Sequence, residues 1–322
     1  MFAVYAESFS AEDPLSGLVV GERPDPEAPP GWTTVTVKAA ALNHHDLWSL
    51  RGVGLREQSL PMILGCDAAG HDEDGNEVVV HAVVSDPSWT GDQTLDPKRS
   101  LLSEKHQGTF ADKVVVPRAN VVPKPASLSF EEAACLPTAW LTAYRMLFTQ
   151  GALRPGDTVL VQGAGGGVAT ALIALARAGG LRVYATSRDE SKRERALGLG
   201  AHEVFESNAR LPQRVDAVME TVGKATWSHS IKSLRPGGSL VVSGTTSGAN
   251  PENAELTRVF FLQLRVIGST MGTRAELASL LNLLDVSGTR PVIDHVIPMT
   301  DARDGFAAMA KGDVFGKIVF TR

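Results

Sequence analysis

The chain changes its hydrophobic pattern near its middle. Up to about residue 123, short β-branched runs are separated by glycine, proline and aspartate, a spacing typical of strands and turns. We expect strands at 32–42, 77–84 and 110–117. Residues 85–108 are polar and lack periodicity, which predicts a long loop. The first part of the chain is therefore predicted to be β-rich.

Strand-like and helix-like segments alternate after residue 128. Residues 128–148 have apolar positions at helical spacing behind Ser129, a residue suited to capping a helix. Further on, we expect strands at 157–163, 182–187, 203–205, 215–223 and 265–270, helices at 168–179 and 190–200, and another strand within 230–248. This βαβ alternation predicts a parallel, doubly wound sheet with right-handed crossovers.

The turn between the strand at 157–163 and the helix at 168–179 is rich in glycine. Small residues there let the backbone turn sharply, bring a pyrophosphate to the helix N-terminus and pack helix against strand. We therefore predict a dinucleotide site. Its residues in this turn are Gly163, Ala164, Gly165, Gly166, Gly167 and Val168.

The end of the next strand indicates which dinucleotide is bound. An NAD site places an acidic side chain there to accept a hydrogen bond from the ribose 2′-hydroxyl. Here the strand ends at Ser187 and Arg188, and Lys192 follows one helical turn later, which favours a 2′-phosphate. NADP(H) is the predicted cofactor. Two alternatives stay open, because Arg188 and Lys192 fit a solvated helix face and Asp189 keeps NAD possible.

Two later strand ends belong to the same sheet edge, where doubly wound sheets bind ligands. We expect their residues near the ribose and nicotinamide, with ordinary turns as the alternative. They are Ser243, Gly244, Thr245, Ser269, Thr270 and Met271.

Composition narrows the functional classes. The 322 residues suit two domains, at about 100–200 residues per domain. A total of 31 basic against 36 acidic residues gives −5, which leaves no net positive field for nucleic acid. Two cysteines indicate a reducing compartment, and no export signal or apolar run of roughly 18 residues is apparent. We expect a cytoplasmic protein with a small-molecule substrate and no nucleic-acid or membrane partner.

Motif-like segments follow one another along nearly the whole chain. They are VKAAALNHHDLWSLRG (37–52), PMILGCDAAG (61–70), GTFADKVVVP (108–117), LSFEEAACLPTAWLTAY (128–144), the glycine turn, LRPGGSLVVSG (234–244) and GKIVF (316–320). Together they resemble the medium-chain dehydrogenase/reductase superfamily, and within it the zinc-independent quinone oxidoreductase-like branch. The resemblance implies an α/β fold in which a Rossmann doubly wound parallel sheet is inserted in a β-rich GroES-like catalytic domain.

The same resemblance implies the domain limits and the assembly. The catalytic domain would comprise 1–124 and 272–322, and the NADP(H)-binding Rossmann domain 125–271, with the active site in the cleft. Members of the family form homodimers or tetramers, and we predict a homodimer here.

The chain departs from zinc-dependent relatives at their catalytic metal ligands. The matching positions read Asn43, Cys66, Asp67 and Thr138. One thiol and one carboxylate do not supply the usual three protein ligands, and 85–108 lacks the four cysteines of the relatives' second site. We therefore predict no metal. An improvised site of His44, His45 and Asp67 is disfavoured, because adjacent histidines point apart.

Without a metal, hydride transfer depends on positioning and on hydrogen-bond donors near the developing oxyanion. Asn43 matches the family's asparagine near the nicotinamide, and His45 is a candidate proton donor. Asp67 is a candidate proton relay, and Trp48 is expected to wall the substrate pocket. Purely structural roles for these residues stay open.

The expected function is NADPH-dependent, zinc-independent reduction of a quinone or another α,β-unsaturated carbonyl compound. An enoyl-thioester reductase and an alcohol dehydrogenase-like enzyme of the same superfamily are the alternatives. A non-catalytic nucleotide-binding protein is the alternative from another class.

Overall fold

The structure, a computed structural model, describes all 322 residues and divides into two compact units. The first unit comprises Met1–Leu141, Met271–Val286 and Ile293–Arg322, and the second comprises Thr142–Thr270 and Ser287–Val292. The predicted limits differ at 125–141 and Met271, which they assign to the nucleotide-binding domain, and at 287–292, which they assign to the catalytic domain. They stay a prediction. None of the helices combines the length and apolar character that crossing a bilayer requires.

Strands and helices are numbered in chain order. The strands are β1 Phe2–Ala6, β2 Leu18–Glu22, β3 Trp32–Ala41, β4 Met62–Ile63, β5 Asp67–His71, β6 Glu77–Val80, β7 Val83–Val84, β8 Ser100–Leu101, β9 Lys113–Pro117, β10 Val121–Pro123, β11 Thr158–Val161, β12 Arg182–Thr186, β13 Glu203–Phe205, β14 Val215–Glu220, β15 Leu234–Val242, β16 Arg265–Gly268, β17 Ile293–Pro298 and β18 Lys317–Thr321. The helices are α1 His44–Leu50, α2 Phe130–Ala134, α3 Leu141–Tyr144, α4 Gly167–Ala178, α5 Glu190–Leu199, α6 Trp227–Ser233, α7 Leu256–Phe261, α8 Arg274–Ser287 and α9 Ala302–Lys311.

The first unit is built on a seven-stranded sheet in which β3 is the central strand. The order is β10-β6-β5-β3-β18-β17, and β9 also pairs with β3. The TVTVKA run of β3 alternates between buried and half-buried or exposed positions, as a strand with one face on the core requires. The C-terminal strand β18 pairs antiparallel with β3, with Val319 opposite Ala41. This pairing brings the end of the chain beside the start of α1.

The second unit contains a six-stranded parallel sheet in the order β13-β12-β11-β14-β15-β16. All four residues of β11 are buried, as expected for a central strand covered on both faces. Helix α4 follows β11 and packs on β12. The predicted fold class, a Rossmann-type parallel sheet together with a β-rich domain, is confirmed.

The polar segment 85–108 contains little regular structure beyond β8, as predicted. Lys98 pairs with Asp86 at 2.7 Å, and an Asp96 carboxylate oxygen accepts the Asp86 backbone N–H at 2.7 Å. Asp92 accepts the Thr94 backbone N–H at 2.8 Å. Ion pairing and side-chain capping thus organise a segment that has little apolar content of its own.

Candidate functional site

The glycine turn between β11 and α4 has the shape that a phosphate-binding loop needs. Gly163 and Gly165 have φ angles of +73° and +138°, which side chains other than glycine rarely adopt. The Ala164 backbone N–H donates to the Thr186 carbonyl at 2.7 Å, which holds the turn against the end of β12. A Cβ on Gly166 would meet no atom within 4 Å. The start of α4, whose first N–H groups lack partners within the helix, is therefore open to a ligand.

Lys192 lies over this turn. A Cβ added to Gly165 would stand 2.9 Å from the Lys192 Cδ atom and 3.6 Å from its Nζ atom. Its ammonium group is therefore beside the phosphate-binding loop, on the side of the helix that faces the turn. This position favours the interpretation that Lys192 contacts a phosphate ligand over the interpretation that it lies on a purely solvated helix face.

The end of β12 offers donors and one partly engaged acid. Arg188 is exposed and makes no hydrogen bond or ion pair, whereas Ser187 is 6% exposed. The Asp189 Oδ1 atom accepts from the Lys192 backbone N–H at 3.2 Å and from the Ser191 hydroxyl at 2.9 Å. These bonds cap α5 and lower the pKa of Asp189. One oxygen of the acidic side chain that would favour NAD is thus engaged at the helix start.

A buried polar network, which the sequence did not predict, lies at the strand ends beside the glycine turn. The Glu220 carboxylate, fully buried at the end of β14, accepts from the Val222 N–H at 2.8 Å and the Ser230 hydroxyl at 2.5 Å. Gln162 donates to Ser230 at 2.9 Å and accepts from the Thr186 hydroxyl at 2.6 Å. The network ties together the ends of β11, β12 and β14. The sequence feature that could have indicated this network is Glu220, a charged residue at the end of the largely apolar run VDAVME.

The remaining predicted cofactor residues divide between the units. Ser243 to Thr245 follow β15 and Ser269 follows β16, and these two strands are neighbours. The Ser269 hydroxyl is buried without a partner, and Thr270 ends this part of the second unit. Met271 belongs to the first unit, where it packs in a cluster with Cys66. The cofactor roles of all six residues stay predictions.

Asn43 begins α1 and shares a capping box with Asp46. The Asn43 backbone N–H donates to the Asp46 Oδ2 atom at 2.9 Å, and the Gly65 N–H donates to Oδ1 at 3.0 Å. Asp46 is fully buried, and this burial raises its pKa to about 6. The acid therefore fixes the helix start to the segment before β5.

The Asn43 amide is held by three protein groups. Its Nδ2 atom donates to the Ala41 carbonyl at 3.2 Å and to the Asp67 Oδ2 atom at 2.8 Å. Its Oδ1 atom accepts from the Lys317 ammonium group at 2.6 Å. Both amide hydrogens are thereby engaged, so donation to a substrate oxygen requires one of these bonds to open.

Lys317 is a buried cation that sequence reasoning missed. It is 2% exposed and also donates to the Leu42 carbonyl at 2.8 Å and to Asp67 at 3.3 Å. The other Asp67 oxygen, Oδ1, is buried without a partner. The sequence feature that could have indicated a buried cation is the position of this lysine inside the apolar strand GKIVF.

These contacts show whether the residues that match the zinc ligands of zinc-dependent relatives could bind a metal in this chain. Asn43 and Thr138 are neutral, and the carboxylate of Asp67 is already paired with the Lys317 ammonium group. A divalent cation at Asn43 and Asp67 would stand against that buried positive charge. The residues at the four matching positions therefore do not fit a catalytic zinc.

His45 contacts protein groups through both ring nitrogens. Nε2 lies 3.0 Å from the Glu104 Oε1 atom, and Nδ1 lies 3.5 Å from the Cys66 Sγ atom. Burial raises the pKa of the Cys66 thiol, and the imidazole of His45 opposes this effect. Direct proton donation from His45 to a substrate requires one contact to open. No local pattern in the sequence indicated the contribution of Glu104.

Trp48 is 36% exposed on α1. The Arg51 guanidinium group lies 5.1 Å from the centre of its ring, which covers one face. Its role as a wall of the substrate pocket stays a prediction.

Known protein families match segments of both units. Residues 29–126 match the family model of the alcohol dehydrogenase GroES-like domain, and residues 167–285 match the zinc-binding dehydrogenase model. Acryloyl-coenzyme A reductase of Sulfurisphaera tokodaii is 27% identical over 95% of this chain and 97% of its own length. Quinone oxidoreductase of Mus musculus is 28% identical over 83% of this chain and 82% of its own. A solved structure described as an NAD-dependent alcohol dehydrogenase is 34% identical with a TM-score of 0.91, and the match covers 100% of both chains.

Proposed function

Because the chain belongs to the medium-chain dehydrogenase/reductase superfamily, we propose that it reduces a quinone or another α,β-unsaturated carbonyl compound with NADPH and without zinc. The observation that carries the choice of cofactor is the end of β12. Arg188 is exposed and unpaired there, and Asp189 caps α5. A 2′-phosphate would gain a planar guanidinium partner at this point, whereas a 2′-hydroxyl would find an acid that is partly engaged in capping α5.

The proposed substrate class rests on a chemical feature that is common to the substrates named for two relatives. Acryloyl-coenzyme A and a quinone each contain a carbon–carbon double bond conjugated to a carbonyl group. Bound NADPH supplies the hydride for such a reduction. The likeness to acryloyl-coenzyme A reductase extends over 95% of this chain, and it favours an enoyl thioester as the second candidate substrate.

The second unit would bind the cofactor through backbone groups and two cations. The open start of α4 and the glycine turn receive the pyrophosphate, with Lys192 beside them. Arg188 receives the 2′-phosphate. The network of Glu220 and Gln162 keeps the turn in register with β12, so that the binding geometry exists before the cofactor arrives.

The first unit would contribute positioning groups rather than a metal. Lys317 fixes the Asn43 amide and balances the charge of Asp67. His45 serves as a proton source after its contact with Cys66 or Glu104 opens, and Trp48 offers a flat apolar face to a conjugated substrate.

The homodimer that we propose would use the free edge of the parallel sheet. Strand β16 is the last strand of that sheet, and Val266 on it is 46% exposed. Phe260 and Phe261 of the preceding helix α7 are 70% and 76% exposed. A second copy would cover this apolar surface and pair with the open strand.

Steady-state assays with chelator-treated protein test the function. NADPH and NADH are each combined with a small quinone, an enone such as 3-buten-2-one, and crotonyl-coenzyme A. We expect NADPH oxidation with at least one of these substrates and a higher kcat/KM for NADPH than for NADH. Oxidation of neither cofactor, or activity only after zinc is added, would refute the proposal. Tight NADPH binding without turnover of any substrate would support the non-catalytic alternative.

A further inference from the structure

A thiol, an imidazole and two carboxylates meet in the first unit. Cys66 precedes β5, His45 and Asp46 lie in the first turn of α1, and Glu104 comes from the polar segment 85–108. The ligand atoms of His45, Asp46 and Cys66 all lie within 4.8 Å of one another. The proposed reduction makes no use of the Cys66 thiol.

The spacing of the imidazole and the thiol is that of two ligands on one metal ion. The Nδ1 atom of His45 lies 3.5 Å from the Sγ atom of Cys66. In a tetrahedral zinc site, a nitrogen at about 2.0 Å and a sulfur at about 2.3 Å from the metal are about 3.5 Å apart. A cation can therefore bridge the two side chains with little movement of either.

Glu104 supports His45 as carboxylates support metal-bound histidines. Its Oε1 atom lies 3.0 Å from Nε2, so a proton on Nε2 is donated to the carboxylate. The lone pair of Nδ1 then faces Cys66. An outer carboxylate of this kind fixes both the tautomer and the orientation of a ligating imidazole.

The cluster is largely buried, and the Cys66 thiol donates to the Leu102 carbonyl at 3.3 Å. Cys66 is 1% exposed and Asp46 is fully buried, whereas the His45 side chain is 22% exposed and provides an approach from solvent. Each oxygen of Asp46 accepts one backbone N–H and retains a further lone pair. The Ser103 hydroxyl, 3.7 Å from Sγ, is placed to donate to a thiolate.

We propose that Cys66, His45 and Asp46 bind a thiophilic divalent cation such as Zn²⁺ or Co²⁺, with Glu104 orienting His45 and water as the fourth ligand. Binding requires the thiolate of Cys66 and the neutral imidazole of His45. It replaces the S–H bond, and any N–H bond at Nδ1, with bonds to the metal and releases those protons to solvent, without a change of oxidation state. Of the four positions that hold catalytic zinc in relatives, this set uses Cys66 alone. Metal binding would immobilise His45, and the proposed reduction proceeds in the metal-free protein.

Titration of the metal-free full-length protein with Co²⁺ tests the site directly. We expect one equivalent to bind, with a thiolate-to-cobalt charge-transfer band in the near ultraviolet and the visible bands of four-coordinate cobalt. Zn²⁺ should displace the cobalt and remove both sets of bands. Metal binding should release protons, because a thiolate and a neutral imidazole are the forms that bind a metal, so the apparent affinity should rise with pH.

Variants identify the ligands. Cys66→Ser should abolish the charge-transfer band, His45→Gln should weaken binding strongly, and Glu104→Gln should weaken it by about 10–100-fold. Cys135→Ser is the matched control, because this second buried thiol lies outside the cluster and donates to the Glu131 carbonyl. Circular dichroism of each variant monitors folding.

Three results would overturn the site: no stoichiometric cobalt uptake by the wild-type protein, a charge-transfer band that persists in Cys66→Ser, or its loss in Cys135→Ser. The wild-type titration decides the question even where a variant fails to fold. Because it measures no turnover, its failure is distinct from a failure of NADPH oxidation by the metal-free protein.

Discussion

Lys317 donates a hydrogen bond to the Asn43 side-chain oxygen at 2.6 Å, although the two residues lie 274 positions apart in the chain. Both are almost completely buried, at 2% and 7% exposure. The same ammonium group pairs with Asp67 at 3.3 Å. The C-terminal strand thus supplies a positive charge to the end of β3 and the start of α1.

Replacing Lys317 with Met should destabilise the first unit. The substitution leaves the Asp67 carboxylate buried without its cation, for which we expect a loss of about 3–5 kcal/mol in the free energy of unfolding. Urea denaturation measures the change. The double variant Lys317→Met/Asp67→Asn removes both charges and should recover part of the loss. Unchanged stability in the single variant would show that the ion pair contributes nothing.

Replacing Arg188 with Ala should weaken NADPH binding. Loss of a charge-assisted hydrogen bond, about 1.5–3 kcal/mol, corresponds to a rise of roughly 10- to 150-fold in the dissociation constant, with little effect on NADH. Fluorescence titration with each cofactor measures both constants. Arg210→Ala is the control, since Arg210 is also exposed and unpaired in the second unit. Equal effects on the two cofactors would argue against a 2′-phosphate contact.

Two glycines of the turn should respond differently to substitution by alanine. Gly163 has a φ of +73°, and a Cβ there would lie 2.7 Å from Val222, so Gly163→Ala should cost about 1–3 kcal/mol of stability. Gly166 has a φ of −72° and open space, so Gly166→Ala should preserve stability. Its methyl group would instead enter the pyrophosphate space and raise the dissociation constant for NADPH. Thermal unfolding and cofactor titration of both variants separate the two effects, and wild-type affinity in Gly166→Ala would contradict the proposed position of the pyrophosphate.

The pH dependence of stability should include a contribution from His81. Burial, partly offset by the hydrogen bond to the Gly272 carbonyl, lowers the pKa of His81 to about 4. The unfolded chain, with a histidine pKa near 6.5, therefore binds a proton at higher pH than the folded protein does. The contribution to stability is complete above about pH 6.5 and falls by up to about 3 kcal/mol as the pH drops to 4. Urea unfolding at several pH values should show a smaller fall for His81→Gln, and equal slopes would refute the assignment.

The proposed dimer should depend on the edge of the parallel sheet. Val266→Lys, alone or with Phe261→Glu, places charge on the surface that the second copy would cover, and should shift the protein to a monomer. Light scattering after size-exclusion chromatography measures the mass. Val286→Lys is the control, because this residue is 87% exposed on α8 in the first unit. A dimer that survives the edge substitutions would place the interface elsewhere.

The sequence by itself determined the features that arise from neighbouring residues. The alternation of strands and helices after residue 128 predicted the parallel sheet, because hydrophobic periodicity reflects local geometry. The glycine turn and the residues at the end of β12 needed no distant contact to suggest a nucleotide site. The family resemblance added the fold class, which the structure confirms.

Only the tertiary structure decided how the polar groups of the first unit are partnered. Lys317 meets Asn43 because β18 pairs with β3, and Glu104 meets His45 across 59 residues. A periodic pattern states which face of a strand is buried, but it does not state which distant strand pairs with it. For the same reason the sequence indicated Asn43 only as a candidate hydrogen-bond donor near the nicotinamide, whereas in the folded chain buried partners accept both of its amide hydrogens.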